Sequence, residues 1–496
     1  MLDALIFIAA VILILQAGVG LSFFVSSILE KERRASFFAG LQFLGMLALL
    51  IAFLALAKTG FFESGPGMVL LITGYLVMVL AALVFLPPFG KNPKALEGTK
   101  GLMRGDVERF DEREQVFARN RAMRPGSKEY ETFYKEHPEY ESFDTQRREK
   151  GGPLGAIGSI DGTRGRLNVE ATLACVSIPQ ALSTPDLYKP QPVINPMYQS
   201  TTDQKEIKEK KYPLSPEEAS KRLKGYTLSL GADLVGIAKI DPHWVYSRKG
   251  EIFHENWEDW GKEIAPDQYA VVFAEEMDFD MVGAAPHTPT VIESMRNYAK
   301  GAFISTQLAR FIANLGYSAT AHHLRYYEAL MVPLAVDAGL GEMGRLGYLL
   351  TKKFGPRIRL GAVTTDLTLA PDKPVDLGVE DFCKICKKCA VCCPSNSIPL
   401  GEQTVVNGTL RWKLNDETCF DYWGKIGTDC NICMKVCPWG HARTFPHRLI
   451  VELISRNKYA RRLFSYMDDI FYGTKPKGKP GPAWTGDINR GTMNGS

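Results

Sequence analysis

The stretch "FCKICKKCAVCCPSNSI" (residues 382–398) places five cysteines within eleven residues. Their spacing is Cys383-x2-Cys386-x2-Cys389-x3-Cys393-Pro394, and "CNICMKVCP" (residues 430–438) adds Cys430-x2-Cys433-x3-Cys437-Pro438, with Cys419 ahead of it. The first run is the bacterial ferredoxin spacing, in which the fourth cysteine crosses to ligate the other cluster. Thiolates this close in sequence converge on one cubane while the backbone curls around it, and the proline after the last cysteine prevents continuation as helix. Cys383, Cys386, Cys389 and Cys437 are thereby assigned to one four-iron four-sulfur cluster, and Cys393, Cys419, Cys430 and Cys433 to a second. Two zinc sites would need the same number of ligands, but an x2-x2-x3-Pro run is not a zinc-ribbon spacing. Disulfides do not suit a reducing compartment. Cys392 reads as a bystander and Cys175 as a small core residue.

Outward from this region the chain is divided. It has 496 residues, a formal net charge of +4 and 23% charged residues, an ordinary average that argues against nucleic-acid binding. Residues 1–90, however, hold only four Lys or Arg and four Asp or Glu. Apolar runs at 4–29, 35–57 and 68–89 are each long enough to cross about 30 Å of hydrocarbon as a helix. A cleaved signal peptide is disfavoured, because "MLDALIFIAAVILILQAGVG" lacks a basic start and runs too long. The first connection carries Lys31, Arg33 and Arg34, and residues 91–124 carry nine Lys or Arg. Two crossings separate these basic segments, so both belong on the cytoplasmic side. The expectation is a multi-pass protein of the cytoplasmic membrane whose catalytic part faces the cytoplasm. Arg33-Arg34 follows a complete span and is a poor fit to a twin-arginine export signal.

The soluble part divides by composition into a polar linker and irregular wrapping segment (91–212), an α/β catalytic core (213–375), a ferredoxin-like two-cluster module (376–445) and a polar C-terminal extension (446–496). The core opens at "SPEE", with Ser215 as N-cap, Pro216 as first helical residue and Glu218 as capping-box partner. "GADLVGIAKI", "QYAVVFAEEM" and "RIRLGAVTTDLTL" read as buried strands, residues 292–315 as an amphipathic helix, and "VPLAVDAGLGEMGRLGYLLT" as a helix and glycine-rich turn. This alternation predicts an α/β or α+β fold. Neither a strand-borne GxGxxG nor a P-loop lysine motif is present.

Taken in order, "RFDEREQVFARN" (109–120), "GADLVGIAKIDPHWVYS" (231–247), "PLAVDAGLGEMGRLGYL" (333–349), "FGPRIRLGAVTTDL" (354–367) and the cysteine region resemble the catalytic subunit of reductive dehalogenases across residues 105–475. The resemblance implies a nitroreductase-like α/β core holding a cobalamin, with its lower base expected off the metal, beside a ferredoxin-like unit with two four-iron four-sulfur clusters. It implies replacement of carbon–halogen by carbon–hydrogen in a small organohalide. The family's proton-donating tyrosine maps onto Tyr298, and its partner cation onto Arg359; both would flank the corrinoid. A cation beside a tyrosine stabilises the phenolate left when the proton departs. Many relatives carry an Asn in a "GND"-like turn between these residues. Here the segment is "TAHHLRYYEAL", which offers His322, His323, Arg325 and Tyr326 for that polar role. Respiratory members also bear a twin-arginine leader and dock on a separate membrane protein, whereas this sequence starts with three spans, which implies a fused anchor in the lipid bilayer.

Two other readings compete. An epoxyqueuosine-reductase-like enzyme would share the cofactors but act on a tRNA base, and three spans argue against it. A non-catalytic membrane ferredoxin conduit would explain clusters and spans but not the α/β core. The electron donor stays open among quinone, reduced ferredoxin and flavodoxin.

Overall fold

The computed structural model describes residues 2–122, 125–149, 189–190, 211–250, 259–323, 326–482 and 484. It resolves into two units, one formed by Met1–Asn92, Leu377–Lys388 and Pro438–Lys477, the other by Pro93–Asp376, Cys389–Cys437 and Gly478–Ser496.

In the first unit, helices Leu2–Leu29, Arg33–Lys58 and Gly65–Phe85 are each long and apolar enough to cross a membrane. Phe7, Leu15, Leu49, Val69 and Leu83 point outward from them, a surface suited to lipid rather than water. The first two helices pack closely. A Cβ at Gly20 would lie 3.6 Å from the Phe43 backbone, and one at Gly40 3.1 Å from the Phe24 ring, so small residues set the approach.

The polar stretch after residue 444 contributes two further helices, Phe445–Arg456 and Lys458–Tyr472. Asn457 is fully buried between them, and its side chain makes four hydrogen bonds. Its Oδ1 accepts from the Tyr459 and Ala460 amides at 2.8 and 3.0 Å and so caps the second helix. Its Nδ2 donates to the carbonyls of Val84 and Pro87 at 2.7 and 2.8 Å, the free end of the third apolar helix. Arg461 donates to Gly90 O and Asp381 Oδ2, both at 3.0 Å. At the other connection, Arg34 Nε donates to Ile470 O at 2.8 Å, and buried Glu30 lies 3.4 Å from His447. The first connection and the segment after the third apolar helix therefore dock on one helix pair. They lie at the same end of the apolar bundle, as two crossings between them require.

In the second unit a four-stranded antiparallel sheet has the order β1 (Leu234–Lys239), β2 (Tyr269–Glu276), β4 (Ile358–Thr365), β3 (Ala319–His322). Side chains alternate across it and build two cores. Ile237, Val271 and Val363 face the helices Pro216–Ser229 and Thr288–Asn314, meeting Leu223, Leu308 and Ile312. Ala238, Val272 and Ala362 face the opposite way, against Leu334 and Ala335 of the helix Met331–Asp337. The Ser215 hydroxyl caps the first of these helices at the Glu218 amide, 3.2 Å away. The long helix begins at Thr288, four residues before periodicity alone suggests, because His287 and Pro289 start its first turn.

Within the segment read as linker, Val116–Ala122, Lys128–Glu136 and Pro138–Glu149 are helical. Charge here turns inward: fully buried Asp144 binds Arg119 at 2.8 Å, Arg147 at 3.1 Å and the Tyr134 hydroxyl at 2.9 Å. Composition reads such a stretch as solvated because it cannot show which charges meet one another.

Replacing Asn457 by Ala removes a cap and leaves two carbonyls unpaired, a loss of about 2–4 kcal/mol from the buried hydrogen bonds. The thermal midpoint of detergent-solubilised protein, followed by helical circular dichroism, is expected to fall by several degrees. Asn457→Asp, which keeps the cap oxygen, is expected to fall by less.

Candidate functional site

Arg359 enters on β4, directly opposite Glu275 of β2, on the sheet face that the long helix covers. Tyr298 and Ser294, four residues apart on that helix, share the side facing Arg359. The Arg359 guanidinium lies 5.5 Å from the centre of the Tyr298 ring, and its Nη2 donates to Ser294 Oγ at 2.6 Å. Burial opposes its charge, but Tyr298, Asp429, Tyr348 and Tyr327 outweigh that and hold its proton more tightly than usual. Arg359 is thus a fixed cation. Among the described residues its buried Nε has no hydrogen-bond partner, which leaves one donor of the fork for an occupant.

The anchor of this arrangement is Asp429. One carboxylate oxygen accepts from Thr290 Oγ1 at 2.9 Å; the other accepts from Asn431 at 2.9 Å and from Ser294 Oγ, and lies 3.4 Å from Arg359. Asp429 immediately precedes Cys430, so the cysteine loop, the long helix and the sheet meet in one polar knot.

Cys393, Cys419, Cys430 and Cys433 line a single small cavity together with Tyr348 and Trp423. Cys430 and Asn431 both take left-handed backbone (φ +62° and +55°), and this turn brings the Ile432 amide to the Cys430 sulfur. Cys393 accepts from the Ser397 amide at 3.3 Å and is lowered by further donors from Ser395 and Ile398 despite its burial. Burial instead raises Cys419 to about 11 and Cys430 to about 12. Such thiols stay neutral unless metal stabilises the thiolate. Among the described residues no three His, Cys, Asp or Glu side chains close on a single ion. Four sulfurs around a cavity rather than a point suit separate irons of a polynuclear cluster better than one tetrahedral zinc.

The other set is distributed differently. Cys383 and Cys386 lie on the helix Val379–Cys386 of the first unit, while Cys389 and Cys437 belong to the second. Burial pushes Cys386 up to about 12, and the Lys388 amide donates to its sulfur.

His322 and Tyr326 have their hydrogen bonds elsewhere than at Tyr298. His322 on β3 projects to the opposite sheet face, where Nε2 meets Thr364 Oγ1 at 3.0 Å and Nδ1 accepts from the Glu328 amide at 3.0 Å. His323 and Tyr326 close a tight turn through paired backbone bonds, and Tyr326 donates to Glu328 at 3.0 Å. Arg325 lies outside the described residues, as does Cys175.

Residues 382–441 match the 4Fe-4S dicluster domain family. A tetrachloroethene reductive dehalogenase of Desulfitobacterium hafniense is 36% identical over 277 residues, 47% of this chain and 50% of its own length. One from Sulfurospirillum multivorans is 31% identical over 306 residues, 55% of this chain and 60% of its own. The solved structure of a catabolic reductive dehalogenase superposes with a TM-score of 0.56 at 27% identity, over 75% of this chain and 48% of that one. The chain is a homologue of the reductive dehalogenases. It spans about half the length of the curated relatives it matches. In this homologue the dehalogenase-like core and the ferredoxin-like module follow three apolar helices.

Asp429, Ser294, Tyr348 and Glu275 were invisible to motif reading. Asp429 carried one local signal, its place immediately before Cys430 in the second cysteine run.

Burial lowers His322 from its ordinary 6.5 to about 4 and His323 to about 3. Both are neutral at pH 7, and the unfolded chain binds more protons than the folded one below pH 6.5. Their contribution to stability is therefore complete above pH 6.5 and is lost as pH falls toward 4 and below. Thermal midpoints measured across that window should fall with acid, and His322→Asn should flatten the dependence.

Proposed function

We propose that this homologue is a membrane-anchored, corrinoid-dependent reductive dehalogenase that replaces carbon–halogen by carbon–hydrogen, with electrons passing through two four-iron four-sulfur clusters. The observation that carries this reading is the Tyr298–Arg359 pair, held through Ser294 and Asp429 to the loop that presents Cys430. A proton donor and a thiolate-lined cavity in one polar network suit a reaction that needs both protons and electrons. Two similar solved structures support it: one is of a reductive dehalogenase described for B12-dependent dehalogenation, another is a reductive dehalogenase in complex with 3-bromo-4-hydroxybenzoic acid.

Tyr298 and Arg359 would flank the corrinoid, and the free Arg359 Nε fits a polar neighbour there. When bound, that cofactor would supply the electrons that break the carbon–halogen bond. Tyr298 holds the proton on its hydroxyl and releases it to the carbon, and Arg359 stabilises the phenolate that remains. Because Arg359 keeps its own proton tightly, it acts as a charge and not as an acid. Cys393, Cys419, Cys430 and Cys433 would hold one cluster; Cys383, Cys386, Cys389 and Cys437 are assigned to the other by spacing alone. The three apolar helices would anchor the enzyme in the cytoplasmic membrane, with the basic segments and the catalytic part on the cytoplasmic side.

Protein purified with its clusters should retain a corrinoid after reconstitution, visible on extraction and in its absorption spectrum. Tyr298→Phe should keep that cofactor and its KM while losing about a hundredfold or more in kcat for halide release. Absence of corrinoid uptake, or full turnover by Tyr298→Phe, would overturn the assignment.

A further inference from the structure

Glu275 is a buried ionisable group whose chemistry packing does not explain. It sits on β2 with no exposure to solvent, and among the described residues no other residue hydrogen-bonds to either carboxyl oxygen. An apolar side chain of equal volume would fit such a place at lower cost, so the carboxyl calls for a reason. Its surroundings supply one. Across the β2–β4 pair its direct neighbour is Arg359, so the two side chains emerge on the same face of the sheet. Above it the long helix carries glycine at 301; a Cβ there would lie 2.9 Å from Glu275 Oε1, so the missing side chain makes room for the carboxyl. Gly301 stands three residues after Tyr298, on the same helical side. Tyr298, Arg359 and Glu275 therefore form one cluster beneath one turn of helix.

On its other side the cluster reaches water. Asp233 accepts from the Glu276 amide at 2.9 Å and pairs with Lys300 at 3.1 Å, and both side chains are about one-third exposed. Lys300, Asp233 and Arg359 are the charged groups that act on Glu275, the first and last favouring its ionised form and Asp233 opposing it. Burial outweighs all three and raises the carboxyl well above its usual range, toward the protonated form. Asp233 is held low by the Glu276 amide and by Lys300, despite partial burial, and stays ionised.

We propose that Glu275 carries the proton that restores Tyr298 after each turnover, with the Asp233–Lys300 pair as its entrance from solvent. The inference rests on the proposed dehalogenation. In each cycle the Tyr298 O–H bond breaks as the new C–H bond forms, two electrons arrive through the clusters, and halide leaves. The phenolate then takes the Glu275 carboxyl proton, and the Glu275 carboxylate takes one from water at the Asp233–Lys300 edge. One proton and two electrons are consumed per halide released.

Glu275→Gln separates reloading from chemistry. With tetrachloroethene as probe and reduced methyl viologen in excess, rapid mixing should show a first turnover at the wild-type rate. Later turnovers should slow by about a hundredfold. Asp233→Asn, at a one-third-exposed position, should slow only the later turnovers, by several-fold. Equal slowing of the first and later turnovers, or unchanged steady-state halide release, would overturn the proposal. Infrared spectra of the resting protein provide a test without substrate. A protonated-carboxyl stretch present in the wild type should vanish in Glu275→Gln, and its absence from the wild type would also overturn the proposal. If wild-type protein shows that band but releases no halide from any organohalide, the dehalogenase reading fails while the carboxyl assignment stands.

Discussion

The second unit depends on one buried carboxylate. Asp429 collects hydroxyl, amide and guanidinium donors from the long helix, its own loop and β4. A buried charge is tolerable only when its lone pairs are met, and here the donors come from three structural elements. Satisfying the charge therefore fixes three elements at once: the helix that bears Tyr298, the strand that bears Arg359 and the turn that bears Cys430. Asp429 holds Arg359 both directly and through Ser294, so the guanidinium has little freedom to drift from the tyrosine ring. The positioning is electrostatic first and steric second.

Alternation across the sheet does the remaining sorting. Residues 359, 361 and 363 face the long helix, whereas Ala362 and Thr364 face the helix Met331–Asp337. His322 follows Thr364 onto that second face. There it serves as a neutral bridge between β3 and the Glu328 amide. His322 and Tyr326 are thus spent on holding the chain around this turn. The same alternation places Glu275 with Arg359, a pairing that separates them by 84 positions in sequence and by one strand in space.

Much of this was legible because it is local. Cysteine spacing, apolar run length, the Ser215 cap and the strand patterns all depend on neighbours in sequence, and the sheet strands and helix positions follow them closely. What was hidden is pairing at long range. The helices between 445 and 472 looked like a polar tail because one face carries the charges, while Ala460, Phe471 and Tyr472 are buried on the other. The helices of 116–149 were hidden for the opposite reason, since their charges point inward to Asp144. Asp429 offered nothing beyond its place beside a cysteine. Its importance lies in partners more than a hundred residues away that no periodicity connects to it.

The Asn457 clasp and the Arg34 contact bear on how the first unit would sit in a bilayer. A helix of 28 residues is about 42 Å long, and the 21-residue third helix is about 31 Å, close to the hydrocarbon thickness. The surplus turns of the longer helix end at Ser26, Ser27 and Glu30, which are buried against protein rather than offered to acyl chains. That end of the helix is braced by Glu30 beside His447, while the clasp and Arg34 hold the same end of the other two helices. The height of Cys383 and Cys386 above that end of the apolar helices would then be a constant of the first unit's architecture.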